Sequence, residues 1–129
     1  MAYYEKAIGL GFQQDLIFFN AGMAYGELNQ GEKSIRAFKK ALDIDPASED
    51  NHFGLAMAYQ RNANDKLAER EFLKVINSNP GHLDARLQLS MLYADRGDLR
   101  RACVQLRKIL ELDPTHRLAR EFLESIQNQ

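Results

Sequence analysis

The sequence contains very little cysteine, the residue that cross-links small secreted domains and binds zinc or iron–sulfur clusters. Its 129 residues include one cysteine, Cys103, and no tryptophan. A single thiol forms no intrachain disulfide and cannot build a zinc or iron–sulfur site. It fits a reducing compartment, which favours the cytoplasm, although the sequence leaves the localisation open. We expect Cys103 to be a partly buried packing residue.

Long apolar runs and a strong net charge are also missing. No stretch of 18 apolar residues occurs, so we expect no membrane insertion. The formal net charge of −1 argues against a nucleic-acid-binding protein, which usually carries a basic face. Apolar residues nevertheless make up 45 % of the chain and charged residues 27 %, values typical of a folded globular protein.

Proline is scarce, and its placement is the most informative feature of the chain. The three prolines, Pro46, Pro80 and Pro114, stand at equal intervals along the sequence. A fixed period of roughly 34 residues is typical of a stacked helical repeat. Apolar, aromatic and small residues recur in the same register, in the columns Tyr25/Tyr59/Tyr93, Phe38/Phe72/Leu106 and Ser34/Ala68/Ala102.

Within each period the apolar residues follow helical spacing, as in Phe18, Ala21, Gly22 and Tyr25. Each proline disfavours helix in the residue before it and so ends a helix. Ser48, Asp50 and Asp84 are candidate caps of the helices that follow. The pattern predicts seven helices, at residues 15–29, 32–44, 49–62, 65–78, 83–96, 98–112 and 117–127.

These columns resemble the tetratricopeptide repeat, a 34-residue helix–turn–helix unit. The resemblance implies an all-α fold, a right-handed superhelix of antiparallel helix pairs. Three full repeats are expected at 15–48, 49–82 and 83–116. A partial repeat with only its second helix is expected at 1–14, as though the chain began inside a repeat, and a capping helix at 117–129. The family prefers Trp or Leu where this chain has Phe18, His52 and Arg86. We expect His52 and Arg86 to weaken packing or to keep their polar ends in water.

The resemblance also implies where a partner would bind, because the first helix of each pair lines a concave groove in this family. The inward positions carry an aromatic or leucine column, a methionine column and polar neighbours. The candidate peptide-binding residues are Phe19, Asn20, Met23, Phe53, Met57, Gln60, Arg61, Leu87, Gln88 and Met91. An apolar groove favours an extended apolar peptide or an amphipathic helix of a partner protein. Alternatively, these side chains pack inside the array.

Nothing in the sequence predicts catalysis, a cofactor or a metal. His82 and His116 follow the prolines in turns, with the period of the repeat and no nucleophile nearby. Some family members grip the C-terminal carboxylate of a partner with basic residues. The matching positions here hold no basic residue, so we expect no binding of chaperone-type acidic tails. They are Phe19, Met23, Gly54, Asp84 and Gln88.

We therefore expect a non-catalytic scaffold with a protein or peptide partner. Two other functions stay open. One is homo-oligomerisation through the truncated N-terminal repeat, and another is a domain excised from a larger protein, even a substrate-presenting part of an enzyme. Binding of RNA is disfavoured because the groove columns are apolar or mixed.

Overall fold

Seven α-helices make up the part of the chain that the computed structural model describes, residues 14–128, and no strand occurs there. Each helix begins and ends close to its predicted position. The predicted partial repeat at 1–14 falls outside the described residues except for Gln14. The helices are α1 (Gln14–Glu27), α2 (Gly31–Ile44), α3 (Glu49–Arg61), α4 (Asp65–Ser78), α5 (Leu83–Asp95), α6 (Leu99–Leu112) and α7 (Arg117–Gln127).

The described residues fall into two compact units that divide within α4, between Glu71 and Phe72. In the first unit α1 packs against α2, and both contact α3. Its buried residues include Phe38, Ala41, Leu55, Ala56 and Tyr59. In the second unit α6 packs against α5 and α7, and the buried residues include Leu89, Leu92, Leu106, Ile109 and Ala119. Cys103, predicted to be partly buried, is buried there.

The turn between the two helices of a pair has the same geometry each time it occurs. Asn29, Ala63 and Gly97, which occupy the same position of successive repeats, adopt left-handed φ values of 62°, 61° and 79°. The residue after each of them donates its N–H to a tyrosine carbonyl five residues earlier, at Tyr25, Tyr59 and Tyr93. This bond satisfies a free carbonyl at the end of the helix, as in other left-handed helix stops.

The left-handed φ at Ala63 leads to a prediction about stability. A left-handed φ costs a residue with a Cβ about 1–2 kcal/mol, and glycine escapes that cost at the expense of some chain entropy. We therefore expect Ala63→Gly to raise the free energy of unfolding by about 0.5–1 kcal/mol in urea denaturation. Gly97→Ala, at the equivalent turn, should lower it by a similar amount. An unchanged or lower stability for Ala63→Gly would contradict this account.

The turns between pairs repeat as closely. The side chains of Asp45, Asn79 and Asp113, each before a proline, accept the N–H two residues further on. The Thr115 hydroxyl and then its N–H also hold the pKa of the Asp113 carboxyl below its ordinary value. The cap predicted at Ser48 is confirmed by its bond from the Asn51 N–H.

The caps predicted at Asp50 and Asp84 are wrong, because Ser48 and His82 hold the cap positions of α3 and α5. Asp84 does not cap α5; the Nδ1 atom of His82 accepts the Ala85 N–H instead, at 3.0 Å. His116 caps α7 in the same way, at 3.1 Å from the Ala119 nitrogen. Both histidines have the extended backbone that a cap needs, whereas Asp84 already lies inside the first turn of its helix.

The expectation that His52 and Arg86 keep their polar ends in water is wrong. Arg86 is buried, donating through Nε to the Pro80 carbonyl at 2.8 Å and through Nη1 to Gln105 Oε1 at 2.9 Å. The Nδ1 atom of His52 lies 2.7 Å from the buried Glu71 carboxylate, and its Nε2 atom lies 2.8 Å from the Pro46 carbonyl oxygen. Both side chains therefore fasten a turn to a neighbouring helix. Burial lowers the pKa of the Arg86 guanidinium, and Glu111 partly offsets this effect.

Candidate functional site

The predicted groove residues lie on three helices in two units. Helix α1 carries Phe19, Asn20 and Met23, and α3 carries Phe53, Met57, Gln60 and Arg61. Both helices belong to the first unit. Helix α5 carries Leu87, Gln88 and Met91 in the second unit.

The first unit contains an apolar cavity of about 240 Å³ between α1 and α3, here named the α1–α3 cavity. Five of the predicted residues come together in its wall. Asn20 is exposed and Gln60 half-buried, and neither lines it. The lining residues are Phe19, Gly22, Met23, Ser34, Phe38, Asp50, Phe53, Gly54, Met57, Ala58 and Arg61.

Phe38 of α2 forms the floor of this cavity, and two glycines make room for it. A Cβ at Gly22 would lie 2.8 Å from the Phe38 ring, and one at Gly54 would lie 2.3 Å from it. Atoms at those distances overlap, so α1 and α3 lie this close to the ring only because both positions lack a side chain. Phe19 meets the same ring edge-on, with centroids 5.6 Å apart. The shape of the cavity therefore depends on one buried aromatic residue and two glycines.

The apolar walls are accessible from solvent. Met23 is 47 % exposed, and Phe19, Phe53 and Met57 are half-buried. These side chains are neither packed away nor fully solvated. An apolar surface of this kind, bordered by polar residues, often marks a binding site.

Polar bonds between the helices hold the walls in position. The Asn51 side-chain amide, which is 1 % exposed, donates to Asp15 on α1 at 3.1 Å and to the Ala41 carbonyl on α2 at 3.3 Å. The Ser34 hydroxyl donates to the Gly22 carbonyl at 2.7 Å. Buried hydrogen bonds of this kind are costly to break, so α1 and α3 should keep a constant separation.

Charged side chains stand at both ends of the lining, and both come from α3. Asp50 lies in its first turn and Arg61 in its last turn. The Arg61 guanidinium extends over Gly26 of α1, where a Cβ would lie 2.7 Å from its Nη1 atom. Within residues 14–128, neither charge takes part in an ion pair or a side-chain hydrogen bond.

The α5 residues occupy equivalent repeat positions in the second unit. Met91 is 41 % exposed, and Leu87 and Gln88 are half-buried. Sequence reasoning missed the floor at Phe38, which the repeat register assigns to packing, and the charge at Asp50, which it treated as a cap. Because Phe38 is both buried and part of the cavity wall, its packing column alone gave no sign of the second role.

No group of three or more histidine, cysteine or acidic side chains among residues 14–128 is placed to hold a metal ion. None of the described helices combines the length and the apolar character needed to cross a bilayer.

Similar structures share this fold at low sequence identity. The first TPR domain of Spaghetti (RPAP3), bound to the HSP90 peptide SRMEEVD, has a TM-score of 0.82 and 22 % identity, over 90 % of this chain and 94 % of that one. YrrB, described as a TPR protein with an unusual peptide-binding site, has a TM-score of 0.80 and 23 % identity, over 94 % and 62 %.

A third similar structure is a bacterial chaperone. The Yersinia enterocolitica type III secretion chaperone SycD, in complex with a peptide of the translocator YopD, has a TM-score of 0.79 and 14 % identity, over 86 % and 90 % of the two chains. No curated protein sequence matches the chain.

A family model supports the same assignment from the sequence. The tetratricopeptide-repeat model matches residues 17–48 and 83–116, which together are just over half of the chain. These matches, the all-α arrangement of helix pairs and the similar structures agree with the resemblance found in the sequence. The chain therefore belongs to the tetratricopeptide-repeat family.

Proposed function

We propose that this protein is a non-catalytic interaction scaffold that binds a peptide or an amphipathic helix of a partner protein in the α1–α3 cavity. The observation that carries the proposal is the apolar cavity of about 240 Å³ with the solvent-accessible Met23, Phe53 and Met57 in its walls. A cavity of roughly 150 Å³ already accepts a benzene ring, so one or two large apolar side chains fit here.

The residue types around the cavity suit peptide binding. Methionine adapts its shape to different apolar partners, because it is unbranched and polarizable. The fixed floor at Phe38 supplies an aromatic surface that needs no ordering on binding. Two of the similar structures hold peptides, SRMEEVD in one and a YopD segment in the other. At identities of 22 % and 14 %, these structures support the fold of this chain but not the identity of its partner, which is inferred from the chain's own residues.

An acidic C-terminal tail is not the partner that these residues favour. Phe19, Met23 and Gly54 occupy positions where a carboxylate-gripping relative needs basic or amide side chains. We therefore expect amidation of the C-terminal carboxylate of a bound peptide to leave its affinity unchanged in a fluorescence anisotropy titration. Leu87, Gln88 and Met91 are proposed as a further contact surface on α5, by their equivalent repeat positions.

The decisive experiment is a selection of peptides from a phage-displayed random library on the purified chain, followed by a single substitution. Met57→Glu places a charge in the apolar wall, and burying an unpaired carboxylate against an apolar ligand costs several kcal/mol. We expect selected peptides to carry large apolar residues and to lose at least tenfold in affinity for Met57→Glu, about 1.4 kcal/mol. Met57 is only half-buried, so the melting temperature should change little.

Val104→Glu is the matched control, because Val104 is 55 % exposed on α6 and lies outside the cavity. It should leave peptide affinity unchanged. Equal binding by wild type and Met57→Glu would show that the cavity is not the site.

Self-association is the second candidate, and a separate cavity of about 320 Å³ on the face of α1 and α2 favours it. Phe18, Ala21 and Tyr25 line this cavity together with cationic side chains. The Nζ atoms of Lys33 and Lys40 lie 5.8 Å and 5.6 Å from the ring centres of Tyr25 and Phe18. Sedimentation velocity at increasing concentration tests this alternative, and a monomer at every concentration would exclude it.

A further inference from the structure

We infer that the α1–α3 cavity selects a partner segment with opposite charges on either side of its apolar anchor. A basic side chain would face Asp50 and an acidic one would face Arg61. This inference rests on the proposed function and adds to it the charge pattern of the ligand. The occupant that we propose is a segment of another protein whose charges complement Asp50 and Arg61, neither of which has an ion-pair partner among the described residues.

Arg61 is prepared for a carboxylate by its surroundings. Its guanidinium crosses from α3 to α1 and rests over Gly26, where any side chain would displace it. It also borders a small cavity of about 50 Å³, shared with Asn29, Ser34 and Asn62, that leaves space around its donors. Guanidinium groups bind carboxylates through two parallel hydrogen bonds, a geometry that the exposed face of Arg61 can offer.

Asp50 offers the opposite charge at the other end of α3. The N-terminus of a helix favours an acidic side chain and the C-terminus a basic one, so the dipole of α3 favours both charges in the unbound protein. The site therefore presents two opposite charges before any ligand arrives. A ligand with matching charges gains attraction at both ends, and a ligand with a single sign is repelled at one of them.

The separation of the charges sets a spacing that a partner must match. Asp50 and Arg61 are eleven residues apart on α3, about 16 Å along the helix axis. An extended peptide covers that length in about five residues, at roughly 3.3 Å each. A helical peptide needs about eleven residues. The apolar anchor lies between the two charges, against Met23, Phe53 and Met57.

The test compares peptide selections on the wild-type chain and on two charge variants, with the same random phage-displayed library. The wild type should enrich apolar anchors flanked by one acidic and one basic residue. Arg61→Glu makes both ends acidic and should enrich anchors flanked by two basic residues. Asp50→Lys makes both ends basic and should enrich two acidic flanks.

Titration of a selected peptide against each variant measures how much the charges contribute to affinity. A peptide selected on the wild type should bind at least tenfold more weakly to Arg61→Glu, and the loss should shrink at high salt because charge attraction is screened. Arg107→Glu, an exposed charge reversal on α6 outside the cavity, should bind as the wild type does. Arg61→Gln, which keeps hydrogen-bond donors but no charge, should give an intermediate loss and guards against a folding defect.

The outcomes separate this inference from the proposed function. Apolar anchors without flanking charges, or flanks that stay the same in both variants, would overturn the charge inference, while a loss with Met57→Glu would still support the cavity. Selections without apolar anchors would overturn both. Dimerisation that Arg61→Glu abolishes in sedimentation would identify a second copy as the occupant, and binding of a synthetic peptide of residues 1–13 that Arg61→Glu weakens would identify the chain's own N-terminus. Either result would overturn the assignment to a partner.

Discussion

Replacing Phe38 by alanine is expected to lower the free energy of unfolding by about 3–5 kcal/mol, the usual cost of removing a buried aromatic ring. Phe38 is 2 % exposed and lies between Gly22 and Gly54, with Phe19 edge-on to it. The two glycines bring no side chain that could move into the space left by the ring. The loss should therefore fall at the upper end of that range, as measured by urea denaturation followed by circular dichroism.

Two further variants show whether the ring acts through its fit with the glycines. A Cβ at Gly54 would lie 2.3 Å from the Phe38 ring, so Gly54→Ala should destabilise the protein by about 1–3 kcal/mol through overpacking. Phe38→Leu shortens the side chain and makes room for the new Cβ. The double variant Gly54→Ala/Phe38→Leu should therefore lose less free energy of unfolding than the sum of the two single losses. Additive losses would contradict direct contact between the two positions, and a loss below about 1 kcal/mol for Phe38→Ala would contradict its role as the floor.

Phe38→Ala should affect peptide binding differently from Met57→Glu. Phe38→Ala enlarges the cavity without adding charge, so any variant protein that remains folded should still accept apolar peptides, with looser selection among anchors. Met57→Glu leaves the floor intact and blocks the wall with a carboxylate. Phe38→Ala should therefore lower mainly the stability and Met57→Glu mainly the peptide affinity, although both residues line the same cavity.

The helices were predictable from the sequence because their determinants are local. Pro46, Pro80 and Pro114 end helices through backbone sterics, and the apolar columns follow the helical period whatever their neighbours are. The left-handed φ at Ala63 was not predicted, because alanine gives little sign of such a conformation. The equivalent position of the next repeat holds Gly97, a residue type that adopts this conformation readily.

The cavity was only partly predictable, because it depends on contacts between separate helices. The register placed Phe19, Met23, Phe53 and Met57 on the first helices of their pairs. It did not show that Phe38 reaches between those helices from α2, since that depends on the space left by two glycines. A pattern along one helix records which face is apolar and carries little information on the depth of the space in front of it.

The buried arginine was mispredicted for a related reason. A charged residue in an apolar column looks like a defect as long as its partners are unknown. For Arg86 those partners are the Pro80 carbonyl, six residues earlier, and Gln105, on the next helix of the same unit. His52 has the same arrangement one repeat earlier, where Pro46 and Glu71 take the places of Pro80 and Gln105. The polar column therefore has a repeating structure of its own, visible only when both partner columns are aligned with it.

This arrangement leads to the second large effect, at Arg86 itself. Arg86→Ala removes two hydrogen bonds and the buried aliphatic part of the side chain, and should lower the free energy of unfolding by about 2–4 kcal/mol. Arg86→Leu restores most of the packing at a position where the family prefers an apolar residue. We expect it to cost less than half as much, because leucine restores most of the apolar contacts and leaves no charge to desolvate.

A matched control is available one repeat further on, where Arg120 donates to the Pro114 carbonyl as Arg86 does to Pro80. Arg120 is exposed, so water can replace its bond, and Arg120→Ala should cost no more than about 0.5 kcal/mol. Equal losses at the two arginines would mean that the turn contact, and not burial, carries the stability. A large loss for Arg86→Ala, little for Arg120→Ala and recovery with leucine would instead show that burial makes this side chain part of the core of the second unit.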